Sequence, residues 1–209
     1  MEMIKKPISN IKVYGLQDSI KKSKYPMSVD INSLNSEITK TVTKLATSKK
    51  GEGHDNWLNG VLVQFDLTFS IKAWVEAERY HFFDFVSSQS TMHRISKMDI
   101  REQCNEYVSE ATIKHLEELK QQYIDEPTDK NYLKLLYNTP TGFQLTAGMT
   151  TNYRQLKTIY SQRKTHRLPE WREFCKQLEE LPCNEFITGN NVNKGGVKNE
   201  QNRKTQRNM

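Results

Sequence analysis

The sequence is short of cysteine, of long apolar runs and of any apolar leader. Its three cysteines, Cys104, Cys175 and Cys183, are an odd number at wide spacing. They support neither a disulfide framework nor a zinc site, so reduced thiols are expected. No apolar run approaches the ~20 residues that span a bilayer, and no membrane partner is expected. Lys5 and Lys6 have no apolar stretch behind them. The N-terminus therefore does not read as a secretory signal, and cytoplasmic residence is the expectation. No internal repeat is visible.

What is present is a polar chain, 35% hydrophobic and 27% charged, in 209 residues. That length suits one sizeable core. We expect a domain over residues 1–188 and a basic tail over 189–209, rich in Asn, Lys and Gly and lacking the apolar content to order itself. The net charge of +6 is 31 basic minus 25 acidic residues. Much of the excess is in the tail, where Lys194, Lys198, Arg203, Lys204 and Arg207 face a single acid, Glu200. Overall basicity is thus a weak argument for a nucleic-acid partner of the folded part.

Hydropathy patterning predicts an α+β fold, a central mixed or antiparallel sheet with long helices. The strongest strand signal is Val61 to Ile71, where Val61, Val63, Phe65, Leu67, Phe69 and Ile71 share one face. Ile11 to Gly15 and Pro140 to Ala147 read as further strands. Helical spacing predicts helices over Ser33 to Thr47, Asp99 to Tyr123 and Asn131 to Tyr137. A helix from Thr151 to Tyr160 carries a stripe of Tyr153, Leu156, Ile159 and Tyr160, with Thr151 as cap. The last helix runs from Leu168 to Leu181, opened by Pro169. Trp74 to Phe85 is dense in aromatics and reads as a helix with Phe82, Phe83 and Phe85 on a buried face. Val86 to Arg94 then reads as a polar Ser-rich turn.

Three constellations carry chemistry. The helix beginning Asn152-Tyr153-Arg154 ends at Arg163 and is followed by Lys164, His166, Arg167 and Trp171-Arg172. Its guanidiniums can hold a phosphate through bidentate hydrogen bonds, or form a solvated basic face. Gly53-His54-Asp55-Asn56-Trp57-Leu58 delivers a histidine just ahead of the long strand. Between Arg79 and Arg94 lie His81, Ser87, Ser88, Ser90 and His93, donors suited to phosphate or to a base edge.

The order of these three segments resembles that of the flavin-dependent thymidylate synthases. Asn152, Arg154, Leu156, Ile159, Arg163 and Trp171 match that family's Asn-x-Arg helix, with Thr158 where an Asn is expected. Gly53-His54 matches its Gly-His segment. The family's Arg-His-Arg and Ser-x-Arg signature is recognisable only at its ends, Arg79-Tyr80-His81 and Arg94. Its register is open: aligned from the strand, Arg79-Tyr80-His81 takes the place of Arg-His-Arg, and aligned back from Arg94, Phe82-Phe83-Asp84 does. Under either register two cations of the flavin clamp are weakened or gone.

The resemblance implies reductive methylation of dUMP to dTMP, with FAD as cofactor, NADPH as reductant and methylenetetrahydrofolate as carbon donor. It implies cofactor contacts from His54, Arg79, His81, Asn152 and Arg154. Substrate contacts are implied for Ser87, His93, Arg94 and Arg163, with Arg163, Ser88 and Ser90 closest to the chemistry. Family sites form between subunits of a homotetramer, so residues distant in this chain are expected to meet across interfaces. The altered signature also leaves open a non-catalytic descendant that binds a nucleotide or another protein.

Overall fold

The computed structural model describes residues 6–49 and 51–189. The basic tail expected from residue 190 onward lies outside the described residues. Along the chain run β1 (Ile8–Tyr14), α1 (Leu16–Lys22), α2 (Lys40–Ala46), β2 (Leu62–Ser70), α3 (Ile71–Ala77) and β3 (Phe83–Ser88). Then follow α4 (Thr91–Arg94), α5 (Ile100–Gln103), α6 (Glu110–Asp125), α7 (Asp129–Tyr137), β4 (Gln144–Asn152), α8 (Tyr153–Arg163), α9 (Pro169–Leu178) and α10 (Glu185–Thr188).

The four strands form one sheet in the order β1-β2-β4-β3, with every pair antiparallel. β2 and β4 pair over their full lengths, Leu62 opposite Asn152 and Ser70 opposite Gln144. Alternation decides which face is covered. Val63, Phe65, Leu67 and Phe69 are buried, while Leu62 and Gln64 are exposed and Asp66 and Thr68 half-buried. The buried face packs on α8 and α9, where Leu156, Ile159, Trp171 and Phe174 complete the main core. Phe69 and Trp171 meet edge to face at 4.7 Å, a geometry the ring quadrupoles favour. A second cluster, built from Ile95, Ile100, Ile113, Leu116, Leu119, Leu135 and Phe143, gathers α5, α6 and α7 at the start of β4. No helix among the described residues is long and apolar enough to cross a membrane.

Four local expectations need correction. The aromatic stretch is not one helix: α3 ends at Ala77, and Phe83–Ser88 is an edge strand. The turn before it is made by Phe82, which adopts a left-handed φ of 58°. Aromatic and β-branched residues suit a strand as well as a helix, and pairing with β4 decides. Only Phe83 is buried there; Phe82 and Phe85 are 65% and 51% exposed.

The long helix predicted from Asp99 is interrupted after Gln103. Cys104 forms a β-bridge with Phe143, and the chain turns helical again only after Ser109 caps α6 through its side chain. The helix predicted from Ser33 starts at Lys40, because the Thr39 side chain accepts from the Val42 N–H and sets the first turn there. The second strand is shifted to Gln144–Asn152 and runs directly into α8. Asn152, not Thr151, caps that helix by accepting from the Gln155 N–H at 2.8 Å. Thr151 Oγ1 instead donates to the Phe82 carbonyl at 2.6 Å.

Candidate functional site

The junction of β4 and α8 builds the site. Asn152 is the last extended residue of the strand and the cap of the helix, so the α8 N-terminus opens at the end of the sheet. The unpaired N–H groups of a helix start carry partial positive charge there. Arg154, Lys157, Thr158 and Ser161 follow at three- and four-residue spacing, which puts them on one face. That face lines a cavity of about 420 Å³. Ser48, Lys49, Asp55, Asn59, His81 and Phe82 complete the lining.

One buried acid organises the cations. Asp55 is 3% exposed. Its Oδ1 accepts from Arg154 Nε at 3.0 Å, and its Oδ2 accepts from Lys157 Nζ at 2.8 Å. Lys157 also donates to the Ala46 and Ser48 carbonyls, both at 2.7 Å. All three of its N–H groups are thereby used, and it ties the end of α2 to α8. Arg154 differs, because only Nε is engaged: its two terminal nitrogens have no hydrogen-bond partner among the described residues. Ser48 Oγ, on the cavity wall, is buried with no hydrogen-bond partner among the described residues. Arg154, Lys157 and Lys49 against Asp55 leave the lining cationic, suited to a carbonyl-rich or anionic ligand.

The His81–Phe82 corner is held from two sides. The Phe82 carbonyl accepts from Thr151, as above, and Tyr80 is fixed by Arg163. A left-handed φ at a bulky residue costs about 1–3 kcal/mol and persists only where surrounding contacts impose it.

Arg163 sits at the opposite end of α8 and is 8% exposed. Its Nε donates to Tyr80 Oη at 2.6 Å and Nη1 to Glu76 Oε2 at 3.2 Å. Nη2 donates to the Glu76 carbonyl at 3.4 Å, and His166 Nε2 lies 2.8 Å from Nη1. The guanidinium is stacked near the rings of Tyr80 and Trp171, 5.4 and 5.0 Å from their centroids. Burial and the adjacent positive charge push the His166 pKa down, so the neutral ring can accept from Arg163. Burial pushes the Glu76 carboxyl up, but Arg79, Arg163 and Lys72 together outweigh it and hold the group below its ordinary value.

The structure therefore brings together His81, Asn152 and Arg154 of the residues picked out from sequence. It does not bring the others to this cavity. His54 is exposed on the residue before Asp55, and Arg79 is exposed, with Nη1 3.6 Å from Glu76. β3 runs from Phe83, opposite Thr151, to Ser88, opposite Ala147. Five steps along a strand cover about 17 Å, so Ser87, Ser88, Ser90, His93 and Arg94 lie toward the far end of the sheet. Arg163, expected to grip a nucleotide, is turned into the interior by Tyr80 and Glu76. Sequence reasoning missed Asp55 and Lys157. The spacing of Arg154, Lys157 and Ser161 is a legible signal for a shared face; a lone acid in a loop is not.

A larger cleft, about 920 Å³, lies at the other end of the sheet beside Ser70, Asn105, Thr141, Gln144 and Glu170. One of its two acids, Glu170, is already engaged, since both its oxygens accept from Ser70, through the backbone N–H and the hydroxyl; the other is Glu106.

The fold is that of the flavin-dependent thymidylate synthases. The Helicobacter pylori enzyme ThyX, solved with FAD and dUMP, superimposes with a TM-score of 0.66 at 14% identity, covering 86% of this chain and 97% of that one. Another structure of the same enzyme with FAD and dUMP gives 0.67 at 15% identity over the same shares. The UMP/dUMP methylase PolB from Streptomyces cacaoi, bound with 5-Br UMP, gives 0.56 at 13% identity, covering 83% of this chain and 87% of that one. No family model matches the chain, and no curated protein is similar to it in sequence. At such identity the likeness is one of architecture, and the chemistry rests on the side chains present.

Proposed function

We propose that the protein is a flavin-dependent enzyme acting on a uracil nucleotide, and that its reaction is reductive methylation of dUMP to dTMP. The observation that carries this reading is the convergence of His81, Asn152 and Arg154 on one cavity, in a fold shared with enzymes that were solved holding FAD and dUMP.

The donor set fits the ring end of a flavin. The terminal N–H groups of Arg154 and the side-chain amide of Asn152, whose oxygen is committed to the helix cap, are the donors that a carbonyl-bearing heterocycle edge requires. A bound flavin would supply the hydride, with NADPH as its reductant and methylenetetrahydrofolate as carbon donor. This chain's own residues orient and polarise: Arg154 and the α8 N-terminus stabilise negative charge in the cavity, and His81 adds a further hydrogen-bonding group to its lining. Chemistry that needs no thiolate suits the cysteines. Burial pushes the Cys175 thiol up to about 12 and raises Cys104 as well, and neither lines the cavity. On this reading the β3 end that carries Ser87, Ser88, Ser90, His93 and Arg94 serves the cavity of another copy in a homo-oligomer.

The test is spectroscopic and then chemical. Purified protein is expected to show flavin absorbance, or to acquire it with added FAD, and to release tritium from C5-labelled dUMP when NADPH and methylenetetrahydrofolate are present. A protein that stays colourless with FAD and releases no tritium would sink the proposal.

A further inference from the structure

We infer that Asp55 is the positioning residue of the cavity: it aims the two terminal nitrogens of Arg154 at the ligand's carbonyl edge. This rests on the reading above, which assigns Arg154 to the ligand but gives Asp55 no part.

An arginine side chain has four rotatable bonds, and its head is placed only if something holds it. Here the holder is a carboxylate that is itself 3% exposed and cannot swing. Asp55 accepts Nε, the one guanidinium nitrogen on the stem side, at 3.0 Å. The guanidinium is planar, so with Nε held its orientation is set, and the end pair of N–H groups, one on each terminal nitrogen, runs parallel and has no partner among the described residues. Arg154 keeps 37% of its side chain exposed and lines the cavity, so the side chain is accessible to a ligand there. An Arg–carboxylate pair made for stability alone is commonly bidentate and leaves fewer donors free.

Lys157 makes the arrangement rigid. It binds the second Asp55 oxygen at 2.8 Å and anchors to two backbone carbonyls, so the carboxylate is held from the side away from Arg154. With two cations on one acid, the pair retains net positive charge, and Arg154 is not neutralised. Such a head presents two parallel N–H donors that can converge on one carbonyl oxygen of an imide, the O=C–NH–C=O grouping. A flavin's pyrimidine-type ring and the uracil of a nucleotide share that chemistry, and separate titrations distinguish them.

The experiment uses the full chain as wild type, Asp55→Asn, Asp55→Glu, Arg154→Ala and the double variant Asp55→Asn/Arg154→Ala. FAD binding is followed by fluorescence quenching and dUMP binding by calorimetry, with circular dichroism as a folding check. Asp55→Asn and Arg154→Ala are each expected to weaken the ligand in question about tenfold, and the double variant to bind no more weakly than Arg154→Ala alone. A full additive loss in the double variant, or unchanged affinity in Asp55→Asn, overturns the inference. Should Asp55→Asn not fold, Asp55→Glu keeps the charge and moves it by one methylene: a loss of affinity that is absent in the Arg154→Ala background supports the inference, and wild-type affinity overturns it.

Wild-type protein that binds neither FAD nor dUMP would count against the proposed function, and the positioning role is then read without a ligand. The Arg154 Nε–H signal of ¹⁵N-labelled protein, assigned by its absence in Arg154→Ala, is expected to be protected from exchange. Protection must be lost in Asp55→Asn, and in Asp55→Glu if that is the variant that folds. Protection retained there overturns the inference.

Discussion

Helix α8 carries an arginine near each end, and the two have opposite fates. Arg154, in the first turn, spends one nitrogen on Asp55 and keeps two for a cavity. Arg163, in the last turn, gives all three nitrogens to Tyr80, Glu76 and His166 and lies between two aromatic rings. The residue type is the same and so is the helix. A guanidinium becomes a cavity-lining group or an interior anchor according to how many acceptors the neighbouring elements supply. At Arg154 they supply one carboxylate oxygen; at Arg163 they supply a carboxylate, a carbonyl, a phenol and an imidazole.

This contrast can be broken most forcefully at Arg163. Arg163→Ala removes the hydrogen bonds to Glu76 and Tyr80, leaving Glu76 only its longer pairs with Lys72 and Arg79, and opens space between Tyr80 and Trp171, so a loss of about 3 kcal/mol is expected in urea unfolding. Should Arg163→Ala unfold at the wild-type urea midpoint yet lose nucleotide affinity, the interior-anchor assignment would be wrong. Arg154→Ala sharpens the contrast from the other side. Asp55 keeps Lys157, so stability is expected to fall by only about 1 kcal/mol, while FAD or nucleotide affinity drops about tenfold.

Asn152→Ala tests whether the helix start matters to the cavity as well as to the fold. Loss of the cap is expected to cost about 1 kcal/mol in the same unfolding assay, with Asn152→Asp recovering most of it. The smallest effect is that of pH at the Arg163 end. The folded-state pKa of His166 lies below its ordinary 6.5. The unfolded chain then binds more protons as pH falls below about 6.5, so stability is present above that value and declines beneath it. Glu76, also lowered from its ordinary 4.5, adds a loss at more acid pH, fading as it protonates. His166→Gln is expected to flatten the first decline and leave the second; an unchanged profile would remove His166 from the anchor.

Much of the fold is legible in the chain because single-period patterns are strong where one face meets a core. The strict alternation from Val61 to Phe69 marks β2, and the stripe of Tyr153, Leu156, Ile159 and Tyr160 marks α8. The stretch from Trp74 to Phe85 is not legible in this way, since its apolar residues, broken by Glu76, Glu78, Arg79, His81 and Asp84, follow neither period cleanly and only the open edge of β4 chooses strand. The break after Gln103 is equally hidden, because a bridge to Phe143 across a long separation outweighs continued helix.

Of the cavity, the sequence by itself determined the residue types and their helical spacing, with Arg154, Lys157 and Ser161 on one face; it pointed to Thr151 as the cap, and the structure put Asn152 there. Only the tertiary structure decided the rest. The loop before β2 folds Asp55 under α8, where burial makes its two oxygens the strongest acceptors within reach of both cations. The pairing of β3 with β4 swings His81 and Phe82 to the cavity wall and carries Ser87 to Arg94 away from it. Local preference sets which groups a helix presents; whether each finds a partner depends on elements distant in sequence, and desolvation makes those partnerships decisive.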